Sequence, residues 1–208
     1  MLTYTTYSEA GGVGKTLSMG IFSIWACTVL SEVENEPIQV IVLAGSGKQS
    51  RILYRYVEEF INNNQWLASK VDGEPKKRQT DFKNGSKISA VKASQTQTRG
   101  EHPDIAIIDE AAEVKKPLIE AILTRVTPKT FPKRILCSTP HVYDSFFVDL
   151  WENNEDWGYN RYQWSKKDIA EMDFVDNKEV ENAKKNYDSS TYKQEYLGEP
   201  TPTKRTTI

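Results

Sequence analysis

Apolar and polar positions alternate between two periods along the chain, dividing it into β-like and helix-like segments. Residues 2–8 alternate and are rich in Thr and Tyr, which predicts a strand, and the apolar stretch from Thr16 predicts the helix after it. Residues 38–44, IQVIVLA, form an unbroken run of the kind found in a parallel strand covered on both faces. A helix over about 48–62 follows, with Ile52, Leu53, Tyr56, Val57 and Phe60 on one side. The basic segment 72–93 contains Asn84-Gly85-Ser86, a hairpin turn between short strands. DIAIIDE, residues 104–110, reads as another buried strand, Ala111 to Thr124 as a helix, and KRILCSTP, residues 133–140, as a strand with an abrupt end. Strands alternating with helices imply an α/β fold, a mostly parallel sheet flanked by helices and joined by right-handed crossovers.

From Trp151 the pattern changes to mixed aromatic and charged residues with short helical stretches near 168–172 and 177–187. The expected organisation is a core over residues 1–150, a small C-terminal lid over 151–199 and a flexible tail over 200–208, whose two prolines carry no apolar period. The longest apolar region, Leu17 to Leu30, is broken by Ser18, Gly20, Ser23 and Thr28 and reads as a buried helix rather than a membrane span.

Composition narrows the function classes. The chain has 208 residues, enough for one sizeable α/β domain with at most a small addition. Hydrophobic residues at 38% argue for a packed globule rather than disorder. The net charge of −2 means that any nucleic-acid contact must come from a local basic face. Cys27 and Cys137 alone support neither a disulfide framework nor a zinc cluster, and they fit a reducing, intracellular compartment.

Two stretches compete as phosphate loops, GGVGKT at 11–16 and GSGKQS at 45–50. Such a loop needs inward backbone N–H groups, a Lys that reaches the outer phosphates and a hydroxyl directly after it for Mg²⁺. Gly11, Gly12, Val13 and Gly14 with Lys15 and Thr16 supply all three, whereas the second stretch has Gln49 in the hydroxyl's place. ATP and Mg²⁺ are therefore assigned to the first, although Glu9 stands where the strict pattern has Gly. The strand IAIID then carries Asp109 and Glu110 to its carboxyl end, where open α/β sheets bind ligands. The first carboxylate suits Mg²⁺ and the second suits polarising water, a combination that defines an ATP hydrolase.

Several further pieces occur in one order: VIVLAGSGKQS, the NGSKI hairpin, TRG, IIDEAAEV, ILCSTP and YKQEYLGEP. Together they resemble the ATPase motor domain of viral large terminase subunits, over residues 10–199. The resemblance implies a P-loop NTPase of the RecA/ASCE-like type that drives double-stranded DNA into a viral capsid. It implies Lys15 and Thr16 on phosphate and Mg²⁺, Asp109 in the metal shell and Glu110 as catalytic base. It places Ser138 and Thr139 in a coupling motif and makes Arg99 a candidate arginine finger acting in trans. Its partners would be non-specific duplex DNA, the capsid portal and the small terminase subunit. A homo-oligomeric ring is expected when assembled and a monomer when isolated, without membrane, in the host cytoplasm and transiently at the procapsid. The family's nuclease has no place in residues 1–208, so DNA cleavage is not expected.

Other readings stay open. A helicase-like motor shares these motifs, a partition-type ATPase shares GGVGKT but has Lys where Ala10 stands, and an assembly module could bind nucleotide without turnover. Arg99 also reads as an ordinary loop arginine, and Ser138 and Thr139 as a helix N-cap. Lys76, Lys77, Arg78, Lys83 and Lys87 around the hairpin, and Lys129, Lys133 and Arg134 before the last strand, could grip DNA phosphates or be solvated loop charge. Trp151, Trp157, Tyr159, Tyr162 and Trp164 could stack on bases or pack the lid.

Overall fold

Ile41 and Leu43 point into one core and Val40 and Val42 into another, because successive side chains of a strand face opposite ways. Their strand, β3 (Gln39–Ala44), is the centre of a five-stranded sheet in a computed structural model. The structure describes residues 2–3, 6–7, 13–74, 76, 78–91, 102–126, 133–156, 158–166, 168 and 176–201. The first described strands are the two-residue β1 (Leu2–Thr3) and β2 (Thr6–Tyr7), and the hairpin strands are β4 (Gln79–Asp81) and β5 (Lys87–Val91). The acid-bearing strand is β6 (Ile105–Asp109), and β7 (Lys133–Cys137) follows it. The sheet order is β4-β5-β3-β6-β7, parallel throughout except for the antiparallel β4–β5 hairpin. β1 and β2 lie beside β7 and pair in parallel with β8 (Tyr159–Asn160) and β9 (Gln163–Trp164).

Helices cover both faces. On one side α1 (Val13–Trp25) and α3 (Gly47–Asn62) cover Val40, Val42, Ile105 and Ile107. On the other, α5 (Lys116–Leu123) and α6 (Phe146–Glu152) cover Ile41, Leu43, Ala106 and Ile108. Each fully buried branched side chain contributes about 1.5–3 kcal/mol of transfer free energy, so the doubly covered strands dominate the stability. α3 is joined to the next strand through α4 (Gln65–Lys70).

α1 continues through a π-turn, Ala26–Leu30, into α2 (Ser31–Glu34), making one apolar helix from Gly14 to Glu34. By length and composition alone it could cross a membrane, but 56% of its apolar window is buried inside the protein. Its polar interruptions have local explanations. Ser23, Thr28 and Ser31 each donate a hydroxyl to the carbonyl four residues back. Gly20 faces α3, where a Cβ would come into ordinary contact with Tyr56 Cβ at 3.4 Å. A π-turn disturbs the regular carbonyl pairing, and the hairpin tip compensates for it. Asn84 Nδ2 donates to Cys27 O at 2.8 Å and to Ser31 Oγ at 2.7 Å. Asn84→Ala is expected to destabilise the fold by about 1–3 kcal/mol, read as a lower midpoint of chemical unfolding, since it also removes the Oδ1 that accepts the Ser86 N–H at 2.9 Å in the hairpin turn.

The expected single helix from Ala111 to Thr124 is broken. Glu110 adopts a left-handed backbone (φ 49°, ψ 48°), Ala111–Glu113 form a 3₁₀ turn, and Val114 and Lys115 are extended before α5 begins. Pro117 is the physical reason for the late start: it lacks an N–H and fits only the first turn of a helix. In the C-terminal region the helix Asn177–Asn186 is capped by Asp176, and Val180, Ala183 and Tyr196 form a small separate core. Lys166 lies against it, its Nζ 3.2 Å from Glu179 Oε1 and 4.3 Å from the centre of the Tyr196 ring.

Candidate functional site

The parallel register brings Ala44, Asp109 and Cys137 level at the carboxyl edge of β3, β6 and β7. α1 starts beside this edge, and its first turn contains no acidic residue. The positive end of its dipole is therefore not offset by an acid of its own first turn and keeps its attraction for an anion. Lys15 and Thr16 lie in that turn and both are buried.

Thr16 donates its hydroxyl to Asp109 Oδ2 at 2.8 Å. The other oxygen, Oδ1, accepts the Glu110 N–H at 3.1 Å and the Cys137 thiol at 3.3 Å. Asp109 is itself only 1% exposed, so these donors are what hold a carboxylate out of water. Lys15 Nζ donates to Thr139 Oγ1 at 3.2 Å and stands 4.0 Å from Glu110 Oε1. Ser138 Oγ accepts the Ala112 N–H at 3.1 Å and lies 3.5 Å from Glu110 Oε2. The hydroxyl of Ser138 thus caps the 3₁₀ turn after β6 rather than a helix of its own, while α6 takes its cap from Ser145. Lys15, Thr16, Asp109, Glu110, Ser138 and Thr139 converge on one edge of the sheet.

Burial pushes the Glu110 carboxyl above its usual range, with Asp109 adding to the rise, while Lys15, His141 and Ser138 pull the other way. Such a raised carboxyl suits a group that must take a proton near neutral pH. Burial and the Asp109 charge push the Cys137 thiol well up, so it behaves as a buried hydrogen-bond donor rather than a nucleophile.

The competing loop at 45–50 is accounted for without phosphate. Ser46 caps α3 by accepting the Gln49 N–H at 3.2 Å. Gly45 is needed because a Cβ there would sit 2.6 Å from Glu113 Cβ. Glu113 and His141 also belong to this edge, and no motif reasoning singled them out. Their signals were faint: Glu113 follows the acid pair within DEAAEV, and His141 directly follows Ser138-Thr139-Pro140.

Gly11, Gly12 and Arg99 lie outside the described residues, as do Lys77, Lys129 and Trp157; of Val13 only the backbone is described. Among the basic residues that are described, Lys76 pairs with Asp81 at 3.0 Å and Lys83 donates to Ser69 O at 2.8 Å. Arg134 Nε donates to Leu123 O at 2.8 Å. Trp151 and Tyr159 are buried in the fold, and Tyr162 is exposed.

A family model described as RNA cytidine acetyltransferase NAT10/TcmA, helicase domain, matches residues 8–146, a span that runs from the glycine loop past His141. The chain belongs to this family. No curated protein matches it by sequence. Among solved structures, the large terminase of bacteriophage HK97 is similar with a TM-score of 0.75 and 18% identity, over 96% of this chain and 46% of that one. The large terminase ATPase domain of Thermus phage P74-26 is similar with a TM-score of 0.73 and 14% identity, over 95% of this chain and 88% of that one. The large terminase of a thermophilic bacteriophage, in complex with ATP-gamma-S, gives 0.68 and 12%, over 95% and 47%. The helicase-domain family and these structures share a P-loop NTPase fold with this chain. The chain spans about half the length of the HK97 terminase it matches.

Proposed function

We propose that this chain hydrolyses ATP as a motor of the large-terminase type and drives double-stranded DNA into a viral capsid. The observation that carries the reading is the interlocked set Lys15, Thr16, Asp109, Glu110 and Thr139 at the carboxyl edge of a terminase-like sheet. Lys15 binds the outer phosphates, Glu110 orients and deprotonates the attacking water, and Ser138 and Thr139 sense the phosphate through their contacts to Glu110 and Lys15. Gly11 to Gly14 cradle the phosphates with their N–H groups.

Thr16 Oγ1 and Asp109 Oδ2, a hydroxyl and a carboxylate oxygen 2.8 Å apart, are the hard oxygen donors that Mg²⁺ takes when it keeps most of its water. Mg²⁺ there would neutralise charge on the phosphates.

In this reading the chain works as a homo-oligomeric ring on the capsid portal with a small terminase subunit, in the host cytoplasm, and Arg99 of each copy completes a neighbour's site. The family match to a helicase domain favours a second reading, a motor that separates strands. The test is ATP hydrolysis with Mg²⁺ over a range of protein concentrations, with blunt duplex DNA and with forked duplex. Turnover that rises more steeply than protein concentration and is stimulated by blunt duplex, without strand separation, supports the packaging motor. Release of a strand from the fork supports the helicase. Nucleotide binding with no hydrolysis in any condition removes both.

A further inference from the structure

His141 stands at the rim of the site with a role no motif assigns to it. Its Nδ1 lies 3.0 Å from Thr139 O, the carbonyl of the residue whose hydroxyl holds Lys15. Its Nε2 meets Glu113 Oε1 on the 3₁₀ turn that follows Glu110. Both ring nitrogens thus face oxygen acceptors, an arrangement satisfied when the ring donates from both or when the Glu113 carboxyl carries the proton. Glu113 in turn packs against the end of β3, where only the missing Cβ of Gly45 makes room for it. A continuous path therefore runs from Lys15 through Thr139 and His141 to Glu113, crossing the ends of β7, β6 and β3.

We propose that His141 and Glu113 form a positioning pair that clasps the Ser138–Thr139 segment to the acid-bearing turn and so fixes Glu110 for hydrolysis. The inference rests on the hydrolytic reading of the same site. The ring nitrogens of His141 contact Thr139 O and Glu113, so the pair acts on Glu110 through the segments it holds and, from His141, through its field. Glu110 is vulnerable to loss of placement because its left-handed backbone has to be held by its surroundings. Among the described residues its side chain is held by Ser138 at 3.5 Å and stands 4.0 Å from Lys15, with His141 acting on it electrostatically. The pair is partly solvent-exposed, with side chains 31% and 47% accessible, so as an ion pair it adds little to global stability. Placement and stability can therefore be separated experimentally.

The experiment uses the full chain with His141→Ala, Glu113→Ala, the double variant and wild type, measuring kcat, affinity for a non-hydrolysable ATP analogue and thermal midpoint. Each single variant is expected to lower kcat about tenfold or more, as misplacing a catalytic group does. Analogue affinity should stay within about twofold and the midpoint nearly unchanged, because neither contact is a phosphate contact or a core contact. The double variant should be no slower than the slower single, the signature of one shared interaction. Two results overturn the inference while leaving the hydrolytic reading intact: single variants as fast as an active wild type, or losses in the two singles that multiply in the double. A wild type that binds the analogue yet never hydrolyses ATP defeats the hydrolytic reading, and the inference falls with it.

Discussion

Glu110→Gln is expected to lower ATP turnover by about 10³-fold, the contribution of a positioned general base, while nucleotide binding is retained. The amide keeps the size of the side chain and can still accept from Ser138, but it cannot take a proton from water. Gln is preferred to Gly because Gly would relax the left-handed backbone at this position and mix two effects. Stability should move in the opposite direction. Burial raises the Glu110 carboxyl above its ordinary value, so the folded protein holds that proton more tightly than the unfolded chain. Between the ordinary value and the raised one the native state binds more protons, and stability falls as pH rises through that window. Above it the ionised carboxylate costs stability that the amide does not. The Gln variant should melt higher than wild type at pH 7–8, with the difference shrinking as pH drops below the usual carboxylate range. Turnover assays with thermal melts across pH test both halves. A variant that keeps turnover within about tenfold of wild type would move the base elsewhere, since a lost base costs at least ~10²-fold.

Contiguity along the chain decides which parts of the site could be read from sequence. That Lys15 and Thr16 would meet Asp109 and Glu110 was legible because each pair is contiguous and stands at the junction of a strand and the segment after it, on one edge of the sheet. The alternation of β3, β6 and β7 with helices was equally legible, since doubly covered strands announce themselves as unbroken apolar runs. The departures come from places where local preference yields to a neighbour. The helix expected from Ala111 is delayed to Lys116 because Pro117 must sit in a first turn. Glu110 is left-handed although its residue type disfavours that backbone. The π-turn at Ala26–Leu30 is tolerated because Asn84, over fifty residues away in sequence, pairs with the Cys27 carbonyl. His141 and Glu113 stayed hidden because their pairing is tertiary, as did the partners of Lys76 and Lys83. A basic residue shows its charge in sequence but not the carboxylate or carbonyl that occupies it.

Lys15→Met should weaken ATP binding about 10²-fold and leave adenosine binding unchanged, because a charge-assisted contact to phosphate is worth about 1.5–3 kcal/mol and the nucleoside does not use it. Met fills the volume of the aliphatic stem, which matters for a residue only 1% exposed, and so isolates the loss of charge from the opening of a cavity. The substitution acts on Glu110 as well. Lys15 is the cation that most opposes the rise of the Glu110 carboxyl, and without it that carboxyl climbs further. Residual turnover at saturating ATP should therefore fall too, and its pH profile should shift toward alkaline values as the base becomes harder to ionise. The shift would be visible only through Glu110, so it vanishes in the Lys15→Met, Glu110→Gln double variant. Calorimetric titration with ATP, ADP and adenosine, followed by turnover against pH, reads both effects. Triphosphate binding that survives Lys15→Met would move the phosphates away from the first turn of α1 and toward the loop at 45–50, whose lysine is Lys48.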